Sequence, residues 1–144
     1  MTDREKDQKK ERPEVKTFSV PYALGGIKEN LIINTNTPSK TSKEEIINQA
    51  FKFHLEGNIQ EAEKYYKKFI DEGYKDYRVF FNYGIILKDL GKSQEAEISY
   101  RKAIELKPDF TEAHFNLGNT LRDLGKLQEA EDFTRKALKL KPNI

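Results

Sequence analysis

A seven-residue pattern that returns every 34 residues constrains the fold of this chain more than any other feature of its sequence. The pattern begins at Gly57, Gly91 and Gly125, and after two variable positions each glycine is followed by Gln-Glu-Ala-Glu. A fixed period of this length is typical of stacked repeat proteins, in which each unit packs only against its neighbours. The sequence therefore predicts an array of similar units.

Small residues keep the same register within each unit. They occupy two positions, the first held by Ala50, Gly84 and Gly118 and the second by Ala62, Ala96 and Ala130. A small side chain lets two helix backbones approach closely, so these positions indicate the packing surface of a helical hairpin.

Start and stop signals divide the chain from residue 43 onward into three helix pairs. The predicted units are 43–76, 77–110 and 111–144. A capping box at Ser42 to Glu45 marks the start of the first helix. In each unit the repeated glycine ends the first helix, because glycine adopts a left-handed backbone at little steric cost. Pro108 and Pro142 end later second helices, since proline lacks an N–H donor.

Residues 1–42 differ in composition from the repeats, and we expect a disordered or loosely packed tail and linker. Charged residues dominate 1–16, whereas 17–33 contain an apolar run around a Gly-Gly pair. Such short apolar runs are ambiguous from pattern alone. They fit either a segment loosely packed over the first helices, which we favour, or a docking peptide for a partner or a neighbouring copy.

Each second helix also carries a glutamate four residues before a basic residue. The three pairs are Glu63 with Lys67, Glu97 with Arg101, and Glu131 with Arg135. This orientation stabilises a helix by only a few tenths of a kcal/mol. We interpret these charges as a solvated outer face.

The overall composition argues against several functional classes. Hydrophobic residues make up 36% and charged residues 35%, with a net charge of +2 and no cysteine. No strong positive field points to nucleic acid or an anionic membrane. No apolar run approaches the roughly 18 residues of a spanning helix, and the first residues lack the apolar core of a secretory signal. We expect a cytoplasmic protein that binds neither nucleic acid nor membrane.

Residues able to support catalysis or hold a cofactor are scattered. His54 and His114 are the only histidines, and they fall in different units without cysteine partners for a metal site. Nothing places a nucleophile beside a base and an orienting group. We therefore predict no catalysis, no metal and no cofactor.

The three units resemble the tetratricopeptide repeat. The third unit carries the resemblance most closely, at Leu117-Gly118, Leu121, Ala130, Ala137 and Pro142, and the second through Tyr83-Gly84, Leu87, Ala96, Tyr100, Ala103 and Pro108. The first departs from the pattern at Gln49, Phe69 and Tyr74. The resemblance implies an all-α superhelix, and it implies binding to other proteins through surfaces that vary between members.

In this family the first helices of successive units line a concave groove. Placing the sequence on that scheme gives a groove formed by Ile47, Asn48, Phe51, Arg78, Phe81, Asn82, Ile85, Phe115, Asn116, Asn119 and Arg122. The scheme predicts an aromatic floor with polar edges. A protein or peptide partner is therefore expected there.

Three of these groove residues, Asn48, Asn82 and Asn116, repeat in phase. An asparagine amide is both donor and acceptor, so it can pair with the backbone of an extended peptide without reading its side chains. With helices stacked about 10 Å apart, one asparagine would meet roughly every third peptide residue. The alternative, which we place slightly ahead, is that asparagine is simply common at this position of the repeat.

Some relatives in this family hold the C-terminal carboxylate of chaperones in a clamp of basic residues. The corresponding inward positions hold Ile47, Glu112 and Asn116 here. The resemblance therefore argues against a chaperone-tail adaptor of that kind.

Two further functions stay open beside a peptide-binding module. No solvating final helix follows Pro142, so the chain could be the substrate-recruiting front part of a larger enzyme of the glycosyltransferase or sulfotransferase type, as in bacterial proteins with similar repeats. An uncapped terminal repeat also exposes an apolar face. Self-association as a homodimer would bury that face through some of Phe133, Ala137, Leu138 and Leu140.

Overall fold

The computed structural model describes residues 42–143, and these form an all-α superhelix of three helix pairs with no strand among them. The helices are α1 Lys43–Leu55, α2 Ile59–Asp71, α3 Tyr77–Asp89, α4 Ser93–Leu106, α5 Thr111–Asp123 and α6 Leu127–Leu140. The predicted fold class is confirmed. The tail and linker expected before Ser42, with both interpretations of 17–33, lie outside the described residues.

Backbone conformation at the repeated glycines explains where the first helices end. Gly57, Gly91 and Gly125 have φ of 81°, 80° and 81°, within the left-handed region that only glycine adopts without strain. A fourth such glycine, Gly73 at φ 85°, follows α2 where the sequence offers no proline. The first unit therefore ends both of its helices with a left-handed glycine.

The start of α1 forms the predicted capping box. The Ser42 hydroxyl accepts a hydrogen bond from the Glu45 amide at 3.2 Å, and the Ser42 amide donates to Glu45 Oε1 at 3.0 Å. Two N–H groups that the helix itself cannot satisfy are thus paired reciprocally.

Contacts between units place the first helices side by side and the second helices side by side. The Arg78 guanidinium of α3 lies 5.6 Å from the Phe51 ring centre of α1, and Lys88 of α3 pairs with Asp123 of α5 at 3.0 Å. On the other side, Arg101 of α4 pairs with Glu129 of α6 at 2.8 Å. The molecule therefore presents two faces, one formed by α1, α3 and α5 and the other by α2, α4 and α6.

The hydrophobic core consists of two clusters that divide within α3. The first contains Ile46, Ile47, Ala50, Phe51, Ala62, Tyr66, Phe69, Val79 and Ile86. The second contains Phe80, Phe81, Ile85, Leu87, Ala96, Tyr100, Ala103, Phe110, Ala113, Leu117, Leu121 and Ala130. Val79 and Ile86 are seven residues apart, so they share one stripe of α3 and turn it toward the first unit.

The small residues in register stand where helices approach closely, as expected. A Cβ added at Gly84 would lie 2.7 Å from the Tyr100 ring, and one added at Gly118 would lie 2.5 Å from the Thr134 hydroxyl oxygen. The hairpins of the second and third units therefore pack too tightly for a side chain at these positions.

The interpretation of the glutamates as a solvated outer face is wrong for Glu97. This residue is 9% exposed and pairs with Arg101 at 2.9 Å and with Lys126 at 3.0 Å. In the first unit, Glu63 pairs with Lys92 of the next unit at 3.3 Å rather than with its helical neighbour. Both lysines directly follow a repeated glycine. Each pairs with a glutamate on the second helix of the preceding unit, so these ion pairs join adjacent units.

Candidate functional site

The face formed by α1, α3 and α5 contains all the predicted groove residues, but it exposes only some of them. Five are buried, namely Ile47, Phe51, Phe81, Asn82 and Ile85. The other six are half-buried or exposed, namely Asn48, Arg78, Phe115, Asn116, Asn119 and Arg122. The accessible part of this face is therefore more polar than the sequence predicted.

The expected aromatic floor is not there, because two of its three rings belong to the core. Phe81 is 5% exposed and its ring centre lies 4.7 Å from that of Phe110. Phe51 is 1% exposed and lies against Tyr66, with ring centres 6.2 Å apart. Only Phe115 stays half-buried. Sequence reasoning could not separate core from groove, since an aromatic residue at an inward helix position suits both.

Two of the three in-phase asparagines, Asn82 and Asn116, lie beside a tyrosine of the preceding unit. Asn116 Nδ2 donates to the Tyr100 hydroxyl at 3.5 Å. Asn82, its equivalent one repeat earlier, is fully buried near Tyr66, whose pKa is raised by burial and lowered in smaller measure by this amide. Among residues 42–143 no group lies in full hydrogen-bonding geometry to either amide atom of Asn82, although the amide is close enough to Tyr66 to act on its hydroxyl. Asn116 thus contacts the core residue Tyr100, and Asn82 offers no surface to a peptide.

Arg78 is held in place on this face by Asp76, the residue that caps α3. Two guanidinium nitrogens of Arg78 donate to the Asp76 carboxylate at 2.9 and 2.7 Å, and the Arg78 amide donates at 2.9 Å. Burial alone would raise the pKa of Asp76, but these bonds and the positive charge of Arg78 hold it below its usual value. The cation is therefore fixed over α1 rather than free to follow a ligand.

Further along the face, α5 carries several accessible polar groups. Arg122 donates to the side-chain oxygen of Asn119 at 2.8 Å, and Arg122 is exposed. Asp123 at the end of α5 is held by Lys88. Together with Asn116 these groups form a polar strip with donors and acceptors on one helix side.

His54 is a buried polar residue whose environment the sequence did not reveal. It is 1% exposed, and its Nδ1 lies 2.9 Å from the Tyr66 hydroxyl. Burial lowers its pKa to about 4, so the ring is neutral at physiological pH. One repeat later the same position holds Lys88, a partly exposed cation, so only the folded environment identifies this histidine as part of the core.

Two structural features are absent from residues 42–143. No group of three His, Asp or Glu side chains there could hold a metal ion. None of the six helices is both long and apolar enough to cross a membrane.

Family models match the C-terminal part of the chain. A model described as tetratricopeptide repeat matches residues 111–144, and a second, described as TPR repeat, matches residues 84–125. No curated protein sequence matches this chain.

Several solved structures share this fold. YrrB, described as a TPR protein with an unusual peptide-binding site, has a TM-score of 0.67 and 22% identity over 71% of this chain and 53% of its own. The first TPR of Spaghetti (RPAP3), bound to the HSP90 peptide SRMEEVD, has a TM-score of 0.66 and 24% identity over 74% and 84%. The type III secretion chaperone SycD of Yersinia enterocolitica, in complex with a peptide of the translocator YopD, scores 0.65 with 24% identity over 75% and 82%. The chain thus spans about half the length of YrrB.

Proposed function

Because the chain belongs to the tetratricopeptide repeat family, we propose that it binds a peptide segment of a partner protein along the face formed by α1, α3 and α5. Two of the similar structures hold a peptide, one from HSP90 and one from YopD. The observation that carries the proposal is the polar strip of α5, where amide and guanidinium groups are accessible on a rigid helix.

Accessible amides suit an extended peptide, because each can donate and accept one hydrogen bond. Asn48, Asn116 and Asn119 are half-buried amides among the predicted groove residues. Phe115 adds the apolar surface that a peptide side chain can cover, and Arg122 adds a charge. Recognition would therefore combine backbone hydrogen bonds with one aromatic contact and one cation.

The proposed partner differs in chemistry from an acidic chaperone tail. The positions expected to supply a basic clamp hold buried Ile47, half-buried Asn116 and Glu112, which is paired with Lys141 at 3.1 Å. A neutral or mixed-charge segment fits this face better than a carboxylate-terminated one. The synthetic peptide SRMEEVD serves as the probe for that distinction, and we expect it to bind weakly or not at all.

Affinity capture with the full chain tests the proposed face. We expect the double variant Phe115→Ala with Arg122→Ala to lose captured partners that the wild type retains. The matched control is Leu106→Ala on α4 with Lys136→Ala on α6, which also removes one accessible apolar group and one exposed cation but lies outside both candidate binding surfaces. Capture that falls equally in both variants, or in neither, would contradict the proposal.

The asparagine hypothesis can be tested within the same system once a bound peptide is identified. Calorimetric titration should show weaker binding for Asn48→Ala with Asn116→Ala. Asn82→Ala is the internal control, since this side chain is buried and should leave the affinity unchanged. A stronger loss from Asn82→Ala than from the other two would reject backbone recognition by the accessible amides.

Self-association through α6 is a second candidate, supported by exposed apolar side chains. Leu127 and Leu138 are 64% and 45% exposed and line an open cleft on α6. Of the residues first expected to face a neighbour, Ala137 is buried and Phe133 packs inward against His114, so the interface would be built from these two leucines. Light scattering across a dilution series should show dimers that Leu127→Asp with Leu138→Asp abolishes; a monomer at every concentration would reject this candidate.

A further inference from the structure

The opposite side of the molecule contains an apolar cleft that the proposed peptide-binding face does not use. This cleft has a volume of ≈ 570 Å³ and opens between α2 and α4, with α3 as its floor. Its apolar lining consists of Ile70, Phe80, Tyr83, Leu87 and Ile98. We call it the α2–α4 cleft.

Comparing the repeats shows why the cleft exists. At one position of the second helix the first and third units carry aromatic residues, Tyr65 and Phe133, but the second carries Ser99. Phe133 fills the space between its neighbours, stacked on His114 at 5.8 Å with the Arg101 guanidinium 5.4 Å from its ring centre. In the second unit the Ser99 hydroxyl donates a hydrogen bond to the Phe80 carbonyl at 2.6 Å, and this small side chain leaves the equivalent space open.

At the rim of the cleft, the second unit also carries an apolar residue where the other two units carry charged ones. Ile98 is 69% exposed, whereas its equivalents in the first and third units are Lys64 and Asp132. Burying an isoleucine side chain stabilises a protein, so leaving it exposed beside an apolar cleft forgoes that stabilisation. A missing ring and an added apolar rim together describe a site for an aromatic side chain with apolar neighbours.

We propose that the α2–α4 cleft is occupied by the chain's own residues 17–33, with Phe18 or Tyr22 in the position that Phe133 fills in the third unit. Among the 41 residues before Ser42, this stretch contains both aromatic residues. It also alternates apolar residues around them, at Val20 and Leu24. Its side chains therefore match what the cleft lacks.

The connection to the first helix is long enough for this docking. Residues 34–41 span up to about 26 Å at about 3.3 Å per residue. The start of α1 lies near the start of α3, since Ile46 and Ile47 pack in one buried cluster with Val79, and the next residue of α3 is Phe80 of the cleft. A tethered segment also has a high effective concentration, which favours it over a free peptide or a second copy.

Hydrogen exchange of the full chain tests the proposal. We expect amides within residues 17–33 to exchange at least about tenfold more slowly than in an unstructured peptide. Ser99→Phe, which places the ring of the third unit into the cleft, should abolish this protection. Ser99→Ala is the matched control, because it removes the same hydroxyl without filling the cleft and should keep the protection. No protection in the wild type, or equal protection in Ser99→Phe, would overturn the proposal.

Two further measurements keep the test decisive. If Ser99→Phe fails to fold, Phe18→Ser with Tyr22→Ser should shift the methyl NMR signals of Ile70 and Ile98; unchanged signals would contradict docking. Protection should be the same after a 100-fold dilution. Protection that falls on dilution would assign the cleft to a second copy and refute the intramolecular occupant. None of these outcomes depends on binding at the face formed by α1, α3 and α5.

Discussion

The two junctions between repeat units join equivalent pairs of helices with different chemistry. Where α4 meets α5, Phe110 is 1% exposed and packs against Phe81 and Tyr77, with ring centres 4.7 and 5.1 Å away. At the equivalent position between α2 and α3 stands Asp76, which caps α3 and binds Arg78. One junction is an apolar plug and the other a polar cap.

The polar junction also ends its preceding helix differently. The helix α2 is one residue shorter than α4 and ends before Gly73, whereas α4 is followed by Pro108, whose carbonyl accepts a bond from His114 at 2.7 Å. The α2–α4 cleft opens beside the first junction, and Phe133 fills the corresponding space beside the second. A repeat fold thus tolerates unequal junctions, and the looser one leaves room for another segment.

The largest difference between the junctions should come from their equivalent residues. Phe110→Ala is expected to lower the free energy of unfolding by about 3–5 kcal/mol, since it removes a buried ring and leaves a cavity. Asp76→Ala should lower it by about 1 kcal/mol, the usual effect of losing a helix cap. Urea denaturation of both variants measures the contrast, and similar losses would show that the two junctions are energetically alike.

The first unit should add a pH dependence to the comparison through His54. Its pKa is about 4 in the folded protein, against an ordinary value of 6.5 for an exposed histidine, so unfolding takes up a proton as the pH falls between these values. Stability contributed by the neutral ring is complete above about 6.5 and is lost toward pH 4, by up to about 3 kcal/mol. Denaturation at several pH values should show a flatter profile for His54→Gln than for the wild type. Parallel profiles would assign the acid sensitivity to other groups.

The hairpins of the second and third units should differ in their tolerance of a methyl group. At Gly84 the new Cβ meets the Tyr100 ring, which the core holds in place, so Gly84→Ala should destabilise by about 1–3 kcal/mol despite the better helix propensity of alanine. Gly118→Ala meets first the Thr134 hydroxyl, a group that can rotate, and its contacts with backbone atoms, at 3.2 and 3.3 Å, are longer than the 2.7 Å contact with the Tyr100 ring at Gly84. We expect a smaller loss there, and thermal denaturation that ranks the two in the opposite order would be inconsistent with this packing.

Ion pairs across the junctions should give the smallest effects. Glu97 bridges Arg101 and Lys126 and is mostly buried, so Glu97→Gln should cost about 1 kcal/mol. Glu63 pairs with Lys92 in a more exposed setting, and Glu63→Gln should cost only a few tenths of a kcal/mol. Raising the salt concentration should reduce the loss of stability that Glu97→Gln causes. If salt does not change the stability difference between the wild type and Glu97→Gln, that difference comes from packing rather than from charge.

The accessible part of the candidate face was less predictable than its location. Repeat phase placed Asn48, Asn82 and Asn116 on equivalent positions of the first helices, but it could not tell that Asn82 is fully buried while the other two are half-buried. Exposure depends on neighbours such as Tyr66 and Tyr100, which come from another helix. The same limit applied to Phe51 and Phe81, whose apolar rings suit a groove or a core equally well.

The 34-residue period by itself determined three helical hairpins, their glycine ends and their close backbone approach, because these follow from local geometry and from small residues in fixed register. Only the tertiary structure decided which inward side chains are buried, which glutamate is enclosed, and that Ser99 leaves a cleft. Those properties depend on distances between helices that are far apart in the chain. A residue's neighbours in the sequence do not fix its distance to side chains on another helix.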